Sequence, residues 1–299
     1  MLGQVIKKTQ LFNIATCILV LAFCLEAARA ARIQVGRKVV VQASVNKGEP
    51  VPFCLDTGFS GSVAISEHFS KRLGLNATGS TEMSDPSGRA AVRVPIVRLN
   101  RFSIGGLKQF DVEAAVQPDG PMAGECEGVV GLSAFKDQLL TIDMENERLE
   151  VTTGKLHRTD PDVLPYTSGD GIPQVTIKAG NSVVAADIDT GAPGFSLPSS
   201  WASKLHLGSP LQSIGVGRTV SGKFQIRGAV VDDELSVGPY SFKGSFLEFN
   251  SQFEKATIGL SALRHFSLTF DEESGLVRFQ AAHRNIVIAA PSPVGLQGK

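Results

Sequence analysis

Two aspartates of this chain are each followed by threonine and glycine, Asp56-Thr57-Gly58 and Asp189-Thr190-Gly191, and each triplet closes an apolar run, Val51 to Leu55 and Val183 to Ile188. A carboxylate at a strand end, backed by a small hydroxyl and a residue without a side chain, is half of an acid–base site. Two carboxylates within hydrogen-bonding distance cannot both ionise, so the pair holds one proton. The ionised member can take a proton from water while the protonated member donates to a carbonyl oxygen. That chemistry needs no metal and no covalent nucleophile. It does need both triplets in one place.

The elements that would place them there are visible as a duplication. After Asp56 come Phe59-Ser60-Gly61-Ser62, apolar Val63-Ala64-Ile65, and then Ser66 and Glu67 to Leu73 with Gly74 behind, the marks of a short capped helix. After Asp189 come Ala192-Pro193-Gly194, Phe195-Ser196-Leu197, Pro198-Ser199-Ser200 and Trp201 to Leu205, a second short helical signal. Further on, Val129-Val130-Gly131-Leu132-Ser133-Ala134-Phe135 matches Thr257-Ile258-Gly259-Leu260-Ser261-Ala262-Leu263. Each glycine is followed by an aspartate that ends a strand, Leu140-Thr141-Ile142-Asp143 or Leu268-Thr269-Phe270-Asp271, and then by a last strand, Arg148 to Val151 or Leu276 to Phe279. One unit is used twice.

With the pattern in both halves, the chain resembles the aspartic proteases. The apolar-Asp-Thr-Gly strand end, the later apolar-apolar-Gly and the Leu-Thr-Ile-Asp hairpin are similar to the retroviral-type (retropepsin-like) unit, here in tandem as in bilobal, pepsin-like single chains. The likeness spans Ile33 to Gln280. It implies an all-β, bilobal acid-protease fold: two related β-barrel-like lobes, a short helix in each, and a cleft between. It also implies an aspartic endopeptidase with catalytic Asp56 and Asp189, working by the shared-proton mechanism established for that family. By the same resemblance Thr57 and Thr190 bond across to the opposite loop's backbone. Gly58 and Gly191 let the chain turn close to the carboxylates, and Gly131 and Gly259 leave room for the aspartate loops to pack on the following strand.

Substrate must also be covered. Glu82 to Val94 turns at Asp85-Pro86-Ser87-Gly88, and Gly215 to Arg227 turns at Ser221-Gly222-Lys223, which makes Ser87, Gly88, Ser221 and Gly222 the expected flap and substrate-binding residues. An extended peptide under such hairpins pairs as an added strand. Three features depart from the family pattern: neither flap holds a tyrosine, Phe59 stands where a small residue is usual, and Pro193 stiffens the second loop. In the family fold the strand before Gly131 runs beside the aspartate strand, so a Cys54–Cys126 disulfide is conceivable in an oxidising compartment. Two buried free thiols are the alternative.

The 299 residues allow about two domains, and formal net charge is zero, which gives no footprint for nucleic acid. Lys7-Lys8, an apolar stretch from Ile14 to Leu25 broken only by Thr16, and Ala28-Arg29-Ala30 read as a secretory signal peptide cleaved after Ala30. The expected organisation is a signal peptide over 1–30, an N-terminal lobe over 31–153, a linker over 154–170, a C-terminal lobe over 171–282 and an irregular tail over 283–299. The expected protein is exported, periplasmic or secreted, and monomeric because one chain supplies both aspartates. It has no stable membrane partner unless the signal stays uncleaved. A simple signal and two pared-down lobes point to a bacterial host. No cofactor is called for, and the five histidines lack the paired spacing of metal ligands. Polypeptide is the expected substrate. The alternative is a secreted protein of the same fold that binds peptides or proteins without cutting them.

Overall fold

The computed structural model describes residues 29–84, 91–118, 125–219 and 222–291. The first unit opens with β1 (Arg29–Val35) and a hairpin of β2 (Val39–Val45) and β3 (Val51–Leu55) that delivers Asp56. In β2 the residues Val39, Val41, Ala43 and Val45 are buried and those between them less so, the period of two that a half-buried strand requires. Then come β4 (Val63–Ser66), a helix over Glu67–Arg72, and three long strands, β5 (Ala77–Ser84), β6 (Ala91–Ile104) and β7 (Leu107–Gln117). Ser66 caps the helix by accepting from the Phe69 amide at 3.0 Å. Gly74, with φ of +63°, ends it. A short β8 (Gly128–Val130), a 3-10 turn over Leu132–Phe135, and the hairpin β9 (Leu139–Asp143) and β10 (Arg148–Thr152) complete the unit.

The second unit repeats this order. It runs through β11 (Val163–Pro165), β12 (Gln174–Ala179), β13 (Ser182–Ile188), β14 (Ser196–Pro198), β15 (Gln212–Thr219) and β16 (Gly222–Val231). It continues with β17 (Leu235–Val237), β18 (Tyr240–Phe242), β19 (Ser245–Asn250) and β20 (Ala256–Ile258). A single helical turn, Leu260–Leu263, leads to β21 (Ser267–Asp271), β22 (Leu276–Gln280) and β23 (Asn285–Ile286). The protein is all-β with very little helix.

In the first unit the strands β2-β3-β8-β4-β7-β6 close on themselves through a β2–β6 pairing, which makes a barrel-like lobe. The second lobe has the order β16-β19-β14-β20-β13-β12-β17, and its return strand breaks at Asp232-Asp233-Glu234, three residues poorly suited to a sheet. Each lobe is filled with aromatics. Phe53 packs edge-on against Phe69 and Phe102 in one, and Phe266 against Tyr240 and Phe279 in the other.

A run of strands, β11-β22-β21-β9-β10-β1, joins the lobes. At its centre the two equivalent strands pair antiparallel with Thr141 opposite Thr269, their hydroxyls 2.9 Å apart. The segment 154–170, expected as a linker, contains β11, which lies on β22 as β1 lies on β10. The helical signal over 199–205 yields only a 3-10 turn over Ser199–Trp201, because Pro198 in the capping position offers no side-chain acceptor. In the expected irregular tail, β23 pairs parallel with β18. Residues 1–28 of the expected signal peptide lie outside the described residues. Strand β1 starts at Arg29, so cleavage after Ala30 would leave Ala31–Val35 of that strand in place.

Candidate active site

Asp56 and Asp189 follow the ends of β3 and β13, and parallel neighbours fix both ends. Leu55 is in register with Val130 and Ile188 with Ile258. The Asp56 amide donates to the Val130 carbonyl at 3.0 Å, and the Asp189 amide to that of Ile258 at 3.1 Å. Directly after those strands sit Gly131 and Gly259. A methyl on Gly131 would lie 2.1 Å from the Gly61 carbonyl oxygen, and one on Gly259 would lie 2.2 Å from that of Gly194. Any side chain there would push an aspartate loop out of place.

The two loops are locked to each other by their threonines. The Thr57 amide donates to the Thr190 hydroxyl and the Thr190 amide to the Thr57 hydroxyl, both at 3.0 Å. Each hydroxyl in turn donates to the opposite strand, Thr57 to the Ile188 carbonyl at 2.7 Å and Thr190 to the Leu55 carbonyl at 2.8 Å. Both threonines are fully buried, so all four bonds are shielded from water.

Above this lock each carboxyl lies over the other loop's glycine. A methyl on Gly58 would meet the Asp189 carboxyl carbon at 2.4 Å, and one on Gly191 would meet Asp56 Oδ2 at 2.4 Å. That places the two carboxyls side by side, where one proton can be shared between them. Backbone amides point at them as well: Gly58 donates to Asp56 Oδ1 at 2.9 Å, and Gly191 and Ala192 to Asp189 Oδ1 at 2.8 and 3.0 Å. Burial raises the pKa of Asp56 against those amides. Burial raises that of Asp189 too, and the neighbouring charge of Asp56 adds to it. The pair is therefore built to carry a proton well above the ordinary carboxylate range.

Phe59 keeps its amide on Asp56. Its ring lies against Gly61 and joins a small apolar cluster with Val40, Cys54, Cys126 and Val129. Cys54 and Cys126 are joined in a disulfide with Cα atoms 5.7 Å apart.

A cleft of about 830 Å³ opens over the two aspartates. Met83, Ser84, Val92 and Val94 from the β5–β6 hairpin and Val216, Gly217, Phe224 and Ile226 from the β15–β16 hairpin line it. Those are the arms of the two expected flaps. Ser87, Gly88 and Ser221 lie outside the described residues, and Gly222 opens β16 opposite Thr219. Two carboxyls not anticipated from the sequence, Asp187 and Glu248, also line the cleft. Asp187 was hidden inside an apolar run and Glu248 between Leu247 and Phe249, and a lone acid interrupting such a strand was the available signal.

Two related lobes that each lend one carboxyl to a common site beneath a cleft define the aspartic protease class. Residues 41–134 match the aspartyl protease family. The matched stretch covers most of the first lobe and includes Asp56, while Asp189 lies beyond it. No curated protein matches the chain.

Proposed function

We propose that the protein is an endopeptidase that hydrolyses peptide bonds of extended polypeptides with a water activated between Asp56 and Asp189. The observation that carries this reading is the meeting of two carboxyls, each lying over the other loop's glycine above a reciprocal threonine lock. One proton on the pair makes one carboxyl a base toward water and the other an acid toward the scissile carbonyl. Raised affinity for that proton keeps the singly protonated form in place toward neutral pH. The hairpin arms give an extended chain two strand edges against which to pair.

A protein that only bound peptides would have no use for two desolvated carboxyls, which are costly to bury together. Export is supported by the N-terminal Lys7-Lys8 and apolar stretch and by the Cys54–Cys126 disulfide, which suits an oxidising compartment. One chain supplies both carboxyls, so a monomer suffices.

Replacing Asp56 or Asp189 with asparagine removes the shared proton but keeps the shape. Hydrolysis of an unfolded protein should fall by roughly 10²–10⁴-fold or more, with unchanged circular dichroism. Full activity in either variant would reject the dyad.

A further inference from the structure

The two lobes have the same sheet register around the aspartate loops, but not the same chemistry. In the first lobe, Val40, Cys54, Val129, Ala64 and Ala115 face one another in sequence across β2, β3, β8, β4 and β7. In the second lobe the same five places, across β12, β13, β20, β14 and β19, are Gln174, Asp187, Thr257, Ser196 and Glu248. Register partners in a sheet share a face. An apolar row in one lobe is thus matched, position for position, by a polar row in the other.

The consequence is in how the rows are covered. The first is sealed by the Phe59 ring and the disulfide. In the second, Ala192 stands where Phe59 does and the row is open. Asp187, Thr257, Ser196 and Glu248 all line the cleft. The Glu248 carboxyl rests on Gly194, where a methyl would meet it at 2.1 Å, and it has no hydrogen-bond or charge partner among the described residues. Asp187 Oδ1 is buried and accepts no hydrogen bond among the described residues, although Gln174 and the Lys255 charge act on the carboxyl as a whole. Of the cations at the cleft, Lys255 is paired with Asp170 at 2.5 Å and reaches Asp187 only by its charge, and Arg37 belongs to the first lobe. Phe224 and Phe253, packed edge to face with centroids 5.3 Å apart, supply an apolar wall nearby.

We propose that this row is a substrate subsite for a basic side chain, with Glu248 and Asp187 as its specificity-determining carboxyls. A lysine or arginine has an apolar stem suited to the phenylalanine wall and a cationic head that donates to the Glu248 carboxyl and to Asp187 Oδ1. A neutral apolar side chain would desolvate Glu248 and Asp187 Oδ1 without giving either a donor, which disfavours it. The proposal rests on the endopeptidase reading for its substrate, an extended polypeptide. It deepens that reading by naming the residue class that fixes where the chain sits.

Binding separates the two ideas. The affinity of the full-length Asp56→Asn protein is measured for extended peptides that carry lysine, glutamine or norleucine at each position in turn. At one position lysine should bind about tenfold or more tighter than either neutral residue. Glu248→Gln and Asp187→Asn, both isosteric, should each shrink that ratio, and together bring it near one. No lysine preference at any position, an equal preference for glutamine, or a ratio that survives the double substitution would overturn the subsite. A lysine preference in a protein whose wild type cuts nothing would keep the subsite and remove the hydrolytic reading, and cutting without the preference would do the reverse.

Discussion

At the scale of single residues, the threonine lock is the feature most sensitive to one substitution. Thr57→Val keeps the volume and removes the hydroxyl, leaving the Thr190 amide without its acceptor and the Ile188 carbonyl without its donor, both buried. Orphaned buried groups of this kind cost on the order of 1–3 kcal/mol each. Thr57→Ser retains both bonds. The valine variant should therefore show a lower urea midpoint and, because the carboxyls above it lose register, a kcat reduced by about 10²-fold. The serine variant should restore most of both. Equal loss in the two variants would mean that the methyl group, not the hydroxyl, is what matters. These residues were legible from the start because Asp-Thr-Gly occurs twice, and each letter of the motif has a separate physical task. Asp187 and Glu248 were not, since a carboxyl on a strand reveals its neighbours only when the register is known.

At the scale of elements, the Cys54–Cys126 bridge ties β3, which leads into Asp56, to the chain just before β8. It closes a loop of 72 residues that contains both arms of the first hairpin. By chain entropy a loop of that length is worth about 4 kcal/mol. The second lobe has Asp187 at the position of Cys54 and manages without a bridge. Reductant should accordingly lower the urea midpoint of the wild-type protein and leave a Cys54→Ala/Cys126→Ala variant where it was. A reductant effect of equal size in both would assign it elsewhere. The hairpins β2–β3, β12–β13, β9–β10 and β21–β22 were all readable from alternating or apolar runs between turn residues. Two elements were not. Strand β11 is three residues in a stretch rich in proline and aspartate, and it is a strand only because the exposed edge of β22 needs a partner, as β10 needs β1. The helical signal after Pro198 failed for want of a cap, whereas Ser66 supplied one to its counterpart.

For the molecule as a whole, formal charge is balanced, so its stability against pH is governed by where charges are buried and not by net repulsion. Four carboxyls with raised pKa gather at the cleft. Burial pushes Glu248 up to about 7 and Asp187 up to about 6, and the dyad is raised beside them. A carboxyl with a folded pKa above its unfolded one favours the folded state while protonated. That contribution is complete below the unfolded pKa and is lost as pH rises through the folded one. For Glu248 the window runs from 4.5 to about 7. At about 1.4 kcal/mol per pH unit, the loss is on the order of 3 kcal/mol. Glu248→Gln removes the titration. The variant's stability relative to wild type should thus rise by that order between a pH below 4.5 and one above 7, read from urea midpoints in both buffers. Asp187→Asn should behave alike over a window from 3.8 to about 6, with a smaller rise. A gap between variant and wild type that stays constant with pH would place the Glu248 carboxyl in water. It would then exert no pull on a cation in the cleft beyond that of any surface acid. A gap that opens as expected means that folding holds an unpaired acid against the floor of the cleft at a cost to stability. Such a cost is tolerated at a site whose missing partner arrives with the substrate.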